Sequence, residues 1–253
     1  MLEGLLDPMR WEITLAEMPA LWDGFFFTLK VVIAGLALSL VLGTVLGVFS
    51  TTRSRILRGI SRVYVEFYQN TPLPVQVFFM YMAGPKLLQT LLGAPSPVRI
   101  SSFVLGFVGV GLYHAAYISE VIRTGIEAVP RGQMEAALSQ GFSRVQAYRY
   151  VILPQTFKVI LPPLCNQALN LVKNSSVLAL IAGGDLMYNA DGFVSTWGYL
   201  QGYIMACVLY FIICFPLAIL VQWLEARSKK RPRAKSIPGV TDAVPAEAAG
   251  KEA

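Results

Sequence analysis

Apolar residues gather along this chain in long runs separated by short charged segments, the pattern of helices that cross a bilayer. A spanning helix takes about 20 mostly apolar residues. Val31 to Ser50 carries no charge, which places a first span at about residues 24–50. A second runs from about Tyr64 to Pro85 with Glu66 near one end, and a third from about Ile100 to Val121 with Glu120 at its end. The fourth, about Leu153 to Ala182, is unusual in holding Pro154, Pro162, Pro163, Lys158, Lys173, Asn166, Asn170 and Asn174. The fifth lies in the uncharged run from Gly192 to Leu224, with Trp197 and Trp223 as interfacial anchors. The fold class that follows is all-α and membrane-embedded.

Composition agrees. Of 253 residues, 55% are hydrophobic and 14% charged, against about 25% charged in soluble domains. A net charge of +6 would suggest nucleic acid in a soluble protein. Here the basic residues sit at the ends of apolar runs. Arg53, Arg55, Arg58 and Arg62 follow span 1; Arg123, Arg131, Arg144 and Arg149 follow span 3; Arg227, Lys229, Lys230, Arg231 and Arg233 follow span 5. The other side has Arg10, Lys86 and Arg99. Five spans put all three basic regions in the cytoplasm and the N-terminus outside.

The organisation expected is an extracytoplasmic N-terminal segment over 1–22, a membrane domain over 23–226 and a cytoplasmic disordered tail over 227–253. The tail is rich in Ala, Pro, Gly and Glu. Glu3 and Asp7 precede the first apolar run, unlike a cleaved signal peptide. Cys165, Cys207 and Cys214 all lie in apolar stretches without metal-ligand spacing, so neither a disulfide nor a metal site is expected.

The segment over 128–152 stands apart. It is charged, helix-forming and flanked by apolar sequence. Pro130 suits a first helical position, and Glu135, Ala136 and Ala137 favour helix. Gly141 allows a sharp left-handed turn, and Ser143 can cap a second short helix. Leu153-Pro154 then opens the next span. Read as a docking surface, it offers Arg131, Gly132, Glu135, Ala136, Ala137 and Gly141 to a partner; the bland alternative is a solvated loop helix.

Polar groups inside spans are costly and face the bundle interior. Glu120 and Arg123 are three apart on one helix and read as a structural ion pair. Tyr113, His114 and Tyr117 cluster on span 3, and Lys173, Asn174 and Ser175 on span 4. Asn70 and Thr71 precede a helix-interrupting Pro72, and broken helices mark cavities in transporters. These eight are candidate substrate-pathway residues, weighed against plain helix–helix contacts. Gly43 and Gly47 form a GxxxG packing face on span 1, with Gly35 above.

Glu135-Ala136-Ala137, Gly141 and the closing Leu153-Pro154 resemble the docking loop of ABC importer permeases. Tyr64 through Gln76, Ala116 through Arg123, Pro130 through Gln133, and Leu161 through Ser175 extend the resemblance to the polar amino acid branch of that family, which takes up histidine, glutamate, glutamine and arginine. The runs Ala147 to Val151 and Asn170 to Ser175 look most like glutamate/aspartate permeases. Gln140 departs from the aliphatic residue that relatives place before the glycine.

The resemblance implies a type I importer permease fold, paired with an identical or homologous second permease chain. It further implies separate ATPase subunits and an extracytoplasmic solute-binding protein, in the cytoplasmic (inner) membrane. No GxxxxGK[ST] loop is present, so no cofactor is expected in this chain and ATP belongs to a partner. The alternative is a gradient-driven secondary amino acid transporter, which calls for inverted repeats or a chain of intramembrane carboxylates. An embedded enzyme is disfavoured by the single His114 and the lack of a nucleophile–His–Asp set.

Overall fold

The computed structural model describes residues 2–181 and 183–229, and it is helical nearly throughout. In chain order the helices are α1 (Leu2–Leu5), α2 (Pro8–Ala16), α3 (Met18–Thr51), α4 (Arg55–Gln69), α5 (Leu73–Leu92) and α6 (Ser102–Glu127). Then come α7 (Arg131–Ser139), α8 (Arg144–Ala147), a π-helical turn (Tyr148–Ile152) and α9 (Leu153–Asn174). A 3-10 segment (Ser175–Ile181), α10 (Leu186–Trp197) and α11 (Gln201–Lys229) complete the fold. Among the described residues, three helices are long and apolar enough to cross a bilayer: α3, α6 and α11 through Arg227. The helices α5 and α9 run alongside them but carry Gln76 and Lys86, or Lys158 and Lys173.

The centre is the pair α3–α6, and small residues set its closeness. A Cβ on Gly43 would stand 2.7 Å from Ile118 Cγ2 and 2.8 Å from the Ala115 carbonyl. One on Gly47 would stand 2.6 Å from Ile122 Cβ. The glycine face of span 1 is therefore used inside the subunit. Around this pair, Val31, Val77, Val110, Leu171 and Leu178 form the largest apolar cluster. Leu21, Phe25, Leu186 and Leu209 form a second, where α10 and α11 meet α3. The outward faces are apolar too: Ile33, Val41, Phe79, Met82, Phe211 and Ile219 are exposed. Such surface belongs against lipid or another subunit.

Two expected spans are interrupted. Tyr64 to Pro85 is not one helix: α4 ends at Gln69 and α5 starts at Leu73. Pro72 lacks an N–H and biases Thr71 out of the helical region. Three of the four arginines expected in a loop (Arg55, Arg58 and Arg62) lie on α4 instead. The run from Gly192 to Leu224 is likewise two helices, because Gly198 ends α10 at φ +70. Span 4 is helical only to Asn174 and continues as the tighter 3-10 segment. At the other end α3 begins at Met18, earlier than the expected start of the first span. The tail beyond residue 229 lies outside the described residues.

Candidate functional site: a docking loop and an interior groove

The segment expected to dock a partner is two short helices set by their caps. Pro130 occupies the N-cap of α7, one place before the first helical position, which Arg131 takes. At the other end the Gly141 N–H donates to the Leu138 carbonyl (3.0 Å) and the Phe142 N–H to the Ala137 carbonyl (3.2 Å). This paired closure needs a left-handed residue, and Gly141 sits at φ +87. Ser143 Oγ accepts from the Gln146 N–H while Gln146 Oε1 accepts from the Ser143 N–H, a capping box. The second helix then passes through the π-helical turn into α9 without a gap.

Arg131, Gly132, Glu135, Ala136 and Gly141 are exposed, whereas Ala137 is buried on the inner face. The ion pairs of the described residues do not include Glu135. Beside it a groove of 550 Å³ is lined by Glu127, Pro130, Arg131, Met134, Glu135 and Tyr148 among others. Gln155 of α9 donates to Gln133 Oε1 (3.4 Å), tying α7 to the foot of α9.

A second groove, of 660 Å³, opens between the α4–α5 break and the 3-10 segment. Pro72, Leu73 and Pro74 form one wall. Tyr113, Asn174, Ser176, Met187 and Asp191 supply the rest together with small apolar residues. Of the eight pathway candidates, Tyr113 and Asn174 line it. Tyr117 stands behind, its hydroxyl 2.9 Å from that of Tyr113. His114 is 1% exposed and bridges α6 to α9. Its Nε2 lies 3.1 Å from Asn174 Nδ2 and its Nδ1 3.3 Å from Gln167 Oε1. Asn174 donates to Nε2, so the ring proton sits on Nδ1 and is donated to Gln167. The histidine thereby orients a groove residue without lining the groove. Ser175 is fully buried and donates to the Val172 carbonyl (2.7 Å), and Lys173 is exposed.

Asn70 and Thr71 have another task. The last carbonyls of any helix lack intrahelical partners, and in α4 side chains supply them. Asn70 Nδ2 donates to the Glu66 carbonyl (2.7 Å), and Thr71 Oγ1 to that of Phe67 (2.8 Å). Gln76 Nε2 reaches back from α5 to the carbonyls of Tyr68 (3.2 Å) and Thr71 (3.1 Å) and to Thr71 Oγ1 (2.6 Å). Gln76 thus staples the break whose prolines wall the groove. Sequence reasoning passed over Gln76 and Asp191; a glutamine four residues after a proline is the only local signal for the first. Arg123 pairs with Glu120 (2.6 Å) and also with Glu127 (2.7 Å), at the end of α6 that leads into the docking loop. Among the described residues no group of three or more His, Cys, Asp and Glu side chains is placed to hold a metal ion.

Residues 39–230 match the family described as "Binding-protein-dependent transport system inner membrane component". A probable glutamine ABC transporter permease, GlnM of Bacillus subtilis, is 42% identical over 82% of this chain and 93% of its own length. A glutamate/aspartate import permease, GltJ of Escherichia coli K12, is 32% identical over 88% of this chain and 96% of its own length. The crystal structure of an amino acid ABC transporter with histidines contains a chain 30% identical to this one. It superposes with a TM-score of 0.74 over 85% of this chain and 96% of that one. An inward-facing methionine transporter, MetNI, shares the fold at 18% identity, with a TM-score of 0.57 over 86% of this chain and 98% of its own. The chain therefore belongs to the family of binding-protein-dependent transport system inner membrane components and is an amino acid ABC importer permease with the type I fold.

Proposed function

We propose that this permease forms one half of an ATP-driven pathway for a polar amino acid of the glutamine–glutamate type. A separate ATPase grips the loop around Glu135 from the cytoplasm, an extracytoplasmic binding protein delivers the substrate, and a second permease chain, identical or homologous, completes the pathway. The chain sits in the inner membrane with its N-terminus outside. ATP is bound by the partner, and this chain carries no cofactor. The observation that carries the reading is the continuous helical path from α8 through the π-helical turn into α9, which brings Asn174 to the groove and to which the capped, exposed α7 is tied by the Gln155–Gln133 hydrogen bond. A displacement of α7 as the ATPase pair closes is passed through its contacts with the foot of α9, and along α9 to the groove wall. The substrate class rests on the named relatives, a glutamine permease and a glutamate/aspartate permease, and on a groove whose polar atoms come from Tyr113, Asn174, Ser176 and Asp191.

Replacing Glu135 with Arg and Gly141 with Val in the reconstituted transporter tests the coupling. ATP-dependent uptake of labelled glutamine and glutamate is expected to vanish, while the variant still inserts and its partner permease remains bound. Uptake unchanged by both substitutions rules the coupling out. Competition of the labelled substrate by unlabelled glutamine, glutamate and arginine separates the substrate classes.

A further inference from the structure

The interior of the bundle holds a polar node that neither the docking loop nor the groove uses. Four side chains from four elements converge there: Thr28 of α3, Ser175 at the start of the 3-10 segment, Asp185 at the N-cap of α10 and Tyr210 of α11. Thr28, Ser175 and Asp185 are 0% exposed. The Tyr210 hydroxyl is buried near Ser175, Thr28 and Asp185 and is hydrogen-bonded to none of them.

The hydrogen bonds of the node do not close. Ser175 Oγ spends its proton on the Val172 carbonyl (2.7 Å), and Thr28 Oγ1 accepts from the Leu186 N–H (3.0 Å). Asp185 Oδ2 accepts from the Met187 N–H (3.1 Å). Asp185 Oδ1 and the Tyr210 hydroxyl have no partner. The ion pairs of the described residues engage Asp7, Glu66, Glu120 and Glu127, not Asp185. A buried carboxylate is ordinarily paired, protonated or bound to a metal ion, and an unsatisfied buried polar atom points to an unseen water or ion.

Three occupants are weighed by charge. A proton on Oδ1 neutralises the carboxylate but gives the Tyr210, Ser175 and Thr28 oxygens no common partner. A water satisfies the oxygens but leaves a negative charge deep in the bundle. A divalent cation overcompensates a single carboxylate. A monovalent cation does neither, and an all-oxygen shell suits a hard ion. We propose that the node binds one small alkali cation of about sodium size, held by Asp185 with the oxygens of Tyr210, Ser175 and Thr28. It would act as a fixed counter-ion that locks the start of α10 onto α3 and α11, independently of which amino acid is carried. Broken helices in other transporters likewise coordinate cations.

The test is thermal unfolding of the purified transporter, titrated with sodium against N-methylglucamine at constant ionic strength. Wild type is expected to gain about 3 °C or more at saturating sodium, the shift that binding to the folded state produces. Asp185→Asn is expected to show no sodium dependence. Tyr210→Phe keeps the charge and guards against a misfolded Asp185→Asn; it is expected to bind sodium roughly tenfold more weakly. Thallium-soaked crystals should show anomalous density beside Asp185. A melting temperature indifferent to sodium, or a water in the node without anomalous signal, overturns the proposal. Neither result bears on whether the Glu135 loop couples to the ATPase.

Discussion

The α3–α6 pair and the α4–α5 break are neighbours built on opposite principles. In the pair, glycines of α3 bring the backbone against Ile118 and Ile122, and the helix runs unbroken from Met18 to Thr51. In the break, the backbone stops being helical for three residues, and Asn70, Thr71 and Gln76 satisfy the carbonyls set free. Close steric contact gives the first its stiffness. Directional hydrogen bonds hold the second, and hydrogen bonds between membrane helices are individually weak, about 0.6 kcal/mol on average. Irregular backbone at membrane depth is tolerated where it lines a cavity, and the α4–α5 break walls the interior groove. The framework is therefore rigid where it must bear load and interrupted where the groove needs shape.

Four substitutions sharpen this contrast, from the largest effect to the smallest. Gly47→Val forces branched carbon into a contact where even a Cβ lies 2.6 Å from Ile122 Cβ. It is expected to cost about 3 kcal/mol of stability and to deplete folded protein, read by unfolding in detergent. Gln76→Leu strips the donor from the carbonyls of Tyr68 and Thr71. A loss of about 1–2 kcal/mol is expected, with slower ATP-driven uptake at unchanged expression. Uptake at the wild-type rate would show that the break needs no staple. His114→Leu removes the two hydrogen bonds His114 makes from α6 to α9 and frees Asn174. About 1 kcal/mol is expected, with a weaker apparent affinity for substrate but a near-normal maximal rate. Gly59→Ala is the control of opposite sign. Its Cβ meets nothing within 4 Å on α4, so helix propensity alone acts and stability should rise by about 0.5–1 kcal/mol. Destabilisation by Gly59→Ala would show that the exposed face of α4 is covered in the assembled transporter.

Much of the framework was legible beforehand, and the misses share a cause. Hydropathy placed the bundle because burial in a bilayer acts on each stretch separately. Ser143 and Gly141 were readable because caps depend on neighbours three or four residues away. The interruption at Pro72 was readable from the proline itself, whereas the one at Gly198 was missed because hydropathy stays high through an uncharged run. Of the pathway candidates, Tyr113 and Asn174 face the groove, whereas Asn70 and Thr71 cap a helix and Ser175 is shut inside. A polar residue in a span announces that it needs a partner, and sequence does not say which.

By itself, then, the chain's sequence determined a membrane-embedded helical bundle, the position and internal caps of the charged helix pair over 131–147, and the absence of a phosphate-binding loop. All follow from local composition or short-range spacing. Only the tertiary structure decided that the glycines of α3 serve α6 within the same subunit, that His114 braces Asn174, and that Thr28 meets the N–H of Leu186 across 158 residues. Such meetings depend on how helices of similar apolar character choose their neighbours. That choice is made by steric fit and by the pairing of a few buried polar atoms, and neither leaves a periodic trace along the chain.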